Sequence, residues 1–143
     1  MRLTLLLRQR KKMPATTSRP LVIILENDRT MANALGLLVH DWGFAVISAP
    51  SAKEVVRALG PNVKNVRAII ADYHLDEGFT GIKGASAIAQ AIGHKVPTIV
   101  TTGHAVQAEH EDVFPVLSKP FDPEVLHRWL DDHVGGAVSG LAA

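Results

Sequence analysis

The chain has 143 residues, 47% of them hydrophobic and 20% charged, the make-up of one soluble globular domain with room for a full core. It has no cysteine, so disulfides and thiolate metal sites are excluded, as suits a reducing compartment, and no apolar run approaches the ~18 residues that span a bilayer. The net charge of +1 divides unevenly: residues 1–19 hold six Lys/Arg and no acid, which leaves nine Lys/Arg against fourteen Asp/Glu, or −5, in the remainder.

Residues 1–19 are expected to be a basic disordered tail. Their apolar stretch "LTLLL" is too short for a signal peptide, and the basic residues follow it instead of preceding it. Met13 offers an alternative start to the same domain. A basic arm for nucleic acid or acidic lipid is the less favoured reading of this tail.

The domain proper is expected over residues 20–134. "LVIIL" (21–25) is a short, β-branched apolar run, as in a buried strand. From Arg29 to Trp42 the residues Met31, Leu35, Leu38 and Val39 fall at helical spacing, and Gly43 suits the helix end. "FAVIS" (44–48) is a second strand. Ser51 with Glu54 forms a capping box for a helix through about Leu59, broken by "GPN" (60–62). "VRAIIAD" (66–72) is a third strand. A Gly-rich loop (78–84) leads into a helix near 84–93, then "VPTIVTT" (96–102) and "VFPVLS" (113–118) supply two more strands. The last helix is expected over 122–134, with Asp122 as N-cap and Pro123 at N1. "GGAVSGLAA" (135–143) reads as a flexible tail.

Strands alternating with helices imply βαβ units, hence an α/β fold: a doubly wound, five-stranded parallel sheet with helices on both faces. The fourth helix, between strands four and five, has little chain to draw on and is expected to be short or irregular.

In open parallel sheets, ligands bind beyond the carboxyl ends of the strands. Glu26-Asn27-Asp28 stand there after strand one, Asp72 after strand three, Thr101-Thr102 after strand four and Ser118-Lys119-Pro120 after strand five. One polar residue ending a strand is ordinary; the set together suits phosphoryl transfer to a carboxylate. An aspartate can attack phosphorus. A hard divalent cation with oxygen ligands holds the acids together, a lysine adds a point charge and a hydroxyl can bind a phosphoryl oxygen. Thr101 and Thr102 face opposite sides of their strand, so only one can point at Asp72. No Walker loop, G-x-S-x-G elbow or H-E-x-x-H helix is present. The histidines His104/His110 and His127/His133 lack ligand spacing and read as solvated; the Met, Trp and Phe residues read as core.

The motifs "VIILEND", "IIADYHLDEG", "TIVTTG" and "VLSKPFDPEVL" resemble those of the receiver domain of bacterial two-component response regulators, over about residues 20–134. The resemblance implies a flavodoxin-like sheet of order 2-1-3-4-5, and a phosphoryl group accepted on Asp72 from a histidine kinase or phosphotransfer protein with Mg²⁺ or Mn²⁺. It makes Thr102 the switch hydroxyl and Lys119 the lysine of the site, with a cis Lys119–Pro120 bond. Metal ligation falls to Glu26, Asn27, Asp72 and the backbone carbonyl of His74. Asn27 departs from the family pattern, which has aspartate there; Asp28 is a candidate substitute acid. Val116 stands where an aromatic is common. With the short fourth helix and "TTGH", this resembles a subclass of short receivers typical of alphaproteobacterial pathways.

The function implied is a stand-alone, cytoplasmic receiver, monomeric or weakly dimeric and not otherwise an enzyme. It would switch binding to a downstream protein partner or relay the phosphate, with no membrane and no nucleic-acid partner. The alternative is a pseudo-receiver, a phosphorylation-independent interaction module, which Asn27 favours.

Overall fold

The structure is a computed structural model, and it describes residues 19–75, 80–103 and 114–142, the stretch 135–142 by backbone alone. Strand β1, Leu21–Leu25, is buried along its whole length, as an apolar run in the centre of a parallel sheet must be. Helix α1, Arg29–Asp41, turns its buried Ala32, Leu35 and Val39 to the sheet. Gly43 follows it at φ 103, a left-handed turn that glycine takes without a Cβ penalty. Strand β2 is Ala45–Ala49, one residue later than expected, because Phe44 closes the preceding turn (its N–H donates to the Val39 carbonyl at 3.3 Å).

Helix α2 runs Ala52–Leu59, with Ser51 accepting from the Glu54 N–H as its N-cap. A 3₁₀ stretch, Gly60–Asn65, leads into β3, Val66–Asp72. Helix α3, Gly81–Ile92, starts three residues before its expected boundary because Thr80 caps it, accepting from the Lys83 N–H. Strands β4, Thr98–Thr102, and β5, Val116–Ser118, are shorter than expected; Pro97 and Pro115 precede them, and proline cannot donate to a ladder. The fourth helix and its subclass fall on residues 104–113, outside the described residues.

The last helix, α4, spans Pro123–Ala142. Asp122 caps it, accepting from the Glu124 N–H at 2.9 Å. It runs past the expected end at 134, so the backbone of 135–142 is helical where a flexible tail was expected. Glycine weakens a helix by only about 1 kcal/mol per residue, and no proline stops it.

The sheet is parallel throughout, in the order β2-β1-β3-β4-β5. Period-two alternation divides the strands between two cores. Val22, Ile24, Ala68, Ile70 and Ile99 meet α1 and α4 on one face. Leu21, Ile23, Leu25, Ile69 and Ala71 meet α2 and α3 on the other. The histidines of α4 are not merely solvated. His127 stacks flat on Trp42 at 4.3 Å between ring centroids, and His133 stacks on Trp129 at 4.5 Å. The second pair lies four residues apart on one helix, where rings meet. Among the described residues, no helix is long and apolar enough to cross a membrane.

Candidate functional site

At the carboxyl edge, β1 gives way to Glu26, whose N–H still pairs with the Ala49 carbonyl at 3.2 Å. This keeps Glu26 in line with the sheet and buried at 6% exposure. Its Oε2 accepts from the Asp28 N–H at 3.2 Å. Asp28 in turn is the N-cap of α1, its Oδ1 accepting from the Met31 N–H at 3.1 Å. The run Glu-Asn-Asp is thereby divided: Glu26 faces the site, Asp28 serves the helix, and Asn27 is exposed between them. Asn27 and Glu26 line a cleft of about 480 Å³ together with Arg29, Asn33 and Ser48.

Asp72 ends the central strand at 8% exposure. Its Oδ1 accepts from the His74 N–H at 3.4 Å. Lys119 follows β5, and its ammonium lies 3.1 Å from Glu26 Oε1 and 3.6 Å from Asp72 Oδ1. The Lys119 N–H donates to the Thr102 carbonyl at 2.7 Å, and the Lys119–Pro120 bond is cis. Register places Thr101 opposite Asp72 and Thr102 opposite Ser118; both threonines are buried. Burial, then the hydrogen bond to Asp72, pushes the Glu26 carboxyl above the ordinary carboxylate range, against the opposing pull of Lys119. Two carboxylates are thus held in contact with a single ammonium between them.

These donors fit a hard divalent cation. Glu26 and Asp72 offer carboxylate oxygens, Asn27 an amide oxygen and His74 a backbone carbonyl, all of the type Mg²⁺ prefers. A cation would also relieve the carboxylate contact that raises Glu26. The set is short of charge: among the described residues, no group of three or more His, Cys, Asp or Glu could hold a metal ion. An amide at position 27 is one reason.

The sequence did not single out Gly81. Its N–H donates to the Tyr73 carbonyl at 3.0 Å, and a Cβ there would stand 2.2 Å from the Asp72 carbonyl oxygen. The start of α3 therefore rests directly on the backbone of Asp72. The available signal was "TGIK", a Thr N-cap followed at once by glycine.

Residues 22–131 match the model of a family described as the response regulator receiver domain. Among curated proteins, the chain is 31% identical over 116 residues to the transcriptional regulatory protein GlrR of Escherichia coli (strain K12), covering 78% of this chain and 25% of that protein. It is 29% identical over 116 residues to nodulation protein W of Bradyrhizobium diazoefficiens, covering 77% and 49%. The chain thus spans between a quarter and half the length of these relatives. A receiver domain protein from Clostridium thermocellum shares the fold at TM-score 0.67 and 21% identity, covering 82% of this chain and 95% of that one. So does the chemotaxis protein CheY4 of Vibrio cholerae, at TM-score 0.67 and 19% identity, covering 80% and 98%.

Proposed function

This chain belongs to the response regulator receiver domain family of two-component signalling, and from that premise we propose that Asp72 accepts a phosphoryl group from a histidine kinase or phosphotransfer protein. The observation that carries the reading is the placement of Lys119, 3.1 Å from Glu26 and 3.6 Å from Asp72, beside two buried carboxylates. The Asp72 carboxylate attacks phosphorus; an O–P bond forms as the donor's P–N bond breaks, and the electron pair leaves with the imidazole nitrogen. The His74 N–H and Lys119 hold one carboxylate oxygen in place, which fixes the direction of attack. Glu26, Asn27, Asp72 and the His74 carbonyl would hold Mg²⁺ or Mn²⁺, which when bound would supply positive charge against the transferring oxygens. Lys119 and the Thr102 hydroxyl then bind the phosphoryl oxygens of the product.

Phosphorylation adds about −1.5 to −2 charges. Drawing Thr102 and Lys119 inward re-packs the face made by β4, β5 and α4, where a downstream protein docks. Moving such a switch from mostly off to mostly on takes about 5.5 kcal/mol of differential stabilisation. The absence of cysteine suits action in the cytoplasm. Incubation with acetyl phosphate and Mg²⁺, read by intact mass, tests the assignment. Wild type should gain one phosphoryl group and Asp72→Asn none; equal labelling of both would refute it. Asn27 is the one residue that favours a phosphorylation-independent interaction module, and that reading requires no Mg²⁺ binding at millimolar concentration.

A further inference from the structure

The amino edge of the sheet carries a second concave surface, which phosphoryl transfer at Asp72 does not use. A cleft of about 480 Å³ opens there, and Lys64, Arg67, His94, Lys95 and His133 all line it. No acid does, among the described residues. Three of the nine Lys/Arg of residues 20–143 are gathered in one cleft of a body whose formal charge is −5.

Arg67 is there for a reason that the core does not supply. β3 lies between β1 and β4, and every other residue of it is buried. Its pairing with β1 shifts by one residue at this point: Leu21 opposes Val66, but Val22 opposes Ala68. Arg67 is the extra residue. The cores register the insertion, since Val66 and Ile69, three apart, share one face while Ala68 packs on the other. Without the bulge, alternation would turn Arg67 into the core of α2 and α3. Bulges are rare in parallel pairs and re-aim side chains, commonly beside functional sites. Here the result is an exposed guanidinium at the mouth of a basic cleft.

We propose that this cleft is a second binding site, for a compact anion bearing a phosphate or diphosphate group. Three permanent cations match the −1.5 to −2 charge of a phosphate monoester, and the guanidinium fork grips two of its oxygens at once. His133 Nδ1 donates to the Trp129 carbonyl at 2.9 Å, which fixes the ring at the wall of the cleft. A compact ligand is favoured over a nucleic-acid strand, because the acidic body, with Asp131 and Asp132 just before His133, repels a long polyanion beyond the cleft. At ~3.3 Å per residue, the length of β3 puts Asp72 roughly 20 Å away, so the two sites do not share ligands.

The test is a titration of the full ¹⁵N-labelled chain with inorganic pyrophosphate, followed residue by residue by NMR at about 150 mM salt. A parallel arm uses a short single-stranded oligonucleotide. Saturable shifts are expected at residues 64–67, 94–96 and 133–134. Arg67→Gln and Lys95→Gln should each weaken binding at least ~5-fold while resonances elsewhere stay in place; Asp72→Asn should bind as the wild type does. The proposal is overturned if shifts are absent, if they are confined to residues 1–18, if both variants bind like the wild type, or if the oligonucleotide binds more tightly than pyrophosphate.

Discussion

Replacing Gly81 with alanine puts a methyl group where the structure has the backbone of the phosphoacceptor. The new Cβ would lie 2.2 Å from the Asp72 carbonyl oxygen and 2.9 Å from both the Asp72 carbonyl carbon and Ala71 Cβ. Ordinary contact begins at 3.4 Å, so about 1.2 Å of separation must be found. No flexible side chain can yield it, because the obstacle is main chain in the central strand. Overpacking of this kind costs up to about 3 kcal/mol; the better helix propensity of alanine returns at most ~1 kcal/mol. The net loss is about 2 kcal/mol. With an m-value of about 2 kcal/mol/M, the urea midpoint falls by roughly 1 M at unchanged slope. Gly36→Ala is the matched control. Its Cβ meets only Val46 Cγ1, at 3.8 Å, within α1, so the midpoint should rise by about 0.3–0.5 M. A Gly81→Ala midpoint equal to or above the wild type would refute the reasoning. The same variant should also be labelled more slowly by acetyl phosphate, since the displaced backbone carries the acceptor.

Asn27→Asp restores a third carboxylate and should tighten Mg²⁺ binding at least tenfold, a gain of about 1.4 kcal/mol by calorimetry; unchanged affinity would remove Asn27 from the metal set. Asp28→Ser keeps a capping oxygen, so stability should stay within about 0.5 kcal/mol while Asp28→Ala loses ~1 kcal/mol. If Asp28→Ser also cost tenfold in Mg²⁺ affinity, Asp28 would be a ligand after all. Glu26 is raised by burial and by Asp72, so the folded chain keeps its proton to higher pH than the unfolded chain does. Its contribution to stability is full below the unfolded pKa and is lost as pH rises through the folded one. In EDTA, Glu26→Gln should therefore gain on the wild type as pH rises out of the ordinary carboxylate range; a difference that is flat with pH would contradict the buried contact.

Much of the fold was legible because each strand announces itself locally. "LVIIL" is an apolar run between Pro20 and Glu26, "VRAIIAD" is a largely apolar one that closes on Asp72, and the structure gives both strands those bounds. The convergence of Glu26, Asp72 and Lys119 followed from strand ends alone, since a parallel sheet brings them to one edge. What stayed hidden depends on contacts between distant segments. Asp28 could be a ligand or a cap by type; only the path of α1 assigns it to the Met31 N–H. Gly81 is one glycine among eleven until α3 is seen to rest on Asp72. Arg67 looks like an intrusion into a buried strand, because a one-residue shift against β1 leaves no mark in β3 itself. The stacking of His127 on Trp42 joins residues far apart in sequence, which no spacing rule reaches.

Both tryptophans of the chain stand against a histidine ring. An indole stacked on another ring emits differently from one in water, so the emission of each depends on how its partner ring is held. Trp42 ends α1 and its histidine sits on α4, so the brightness of this pair reports the seam between those two helices without any attached dye. A change in that brightness on phosphorylation would therefore mark movement at the seam.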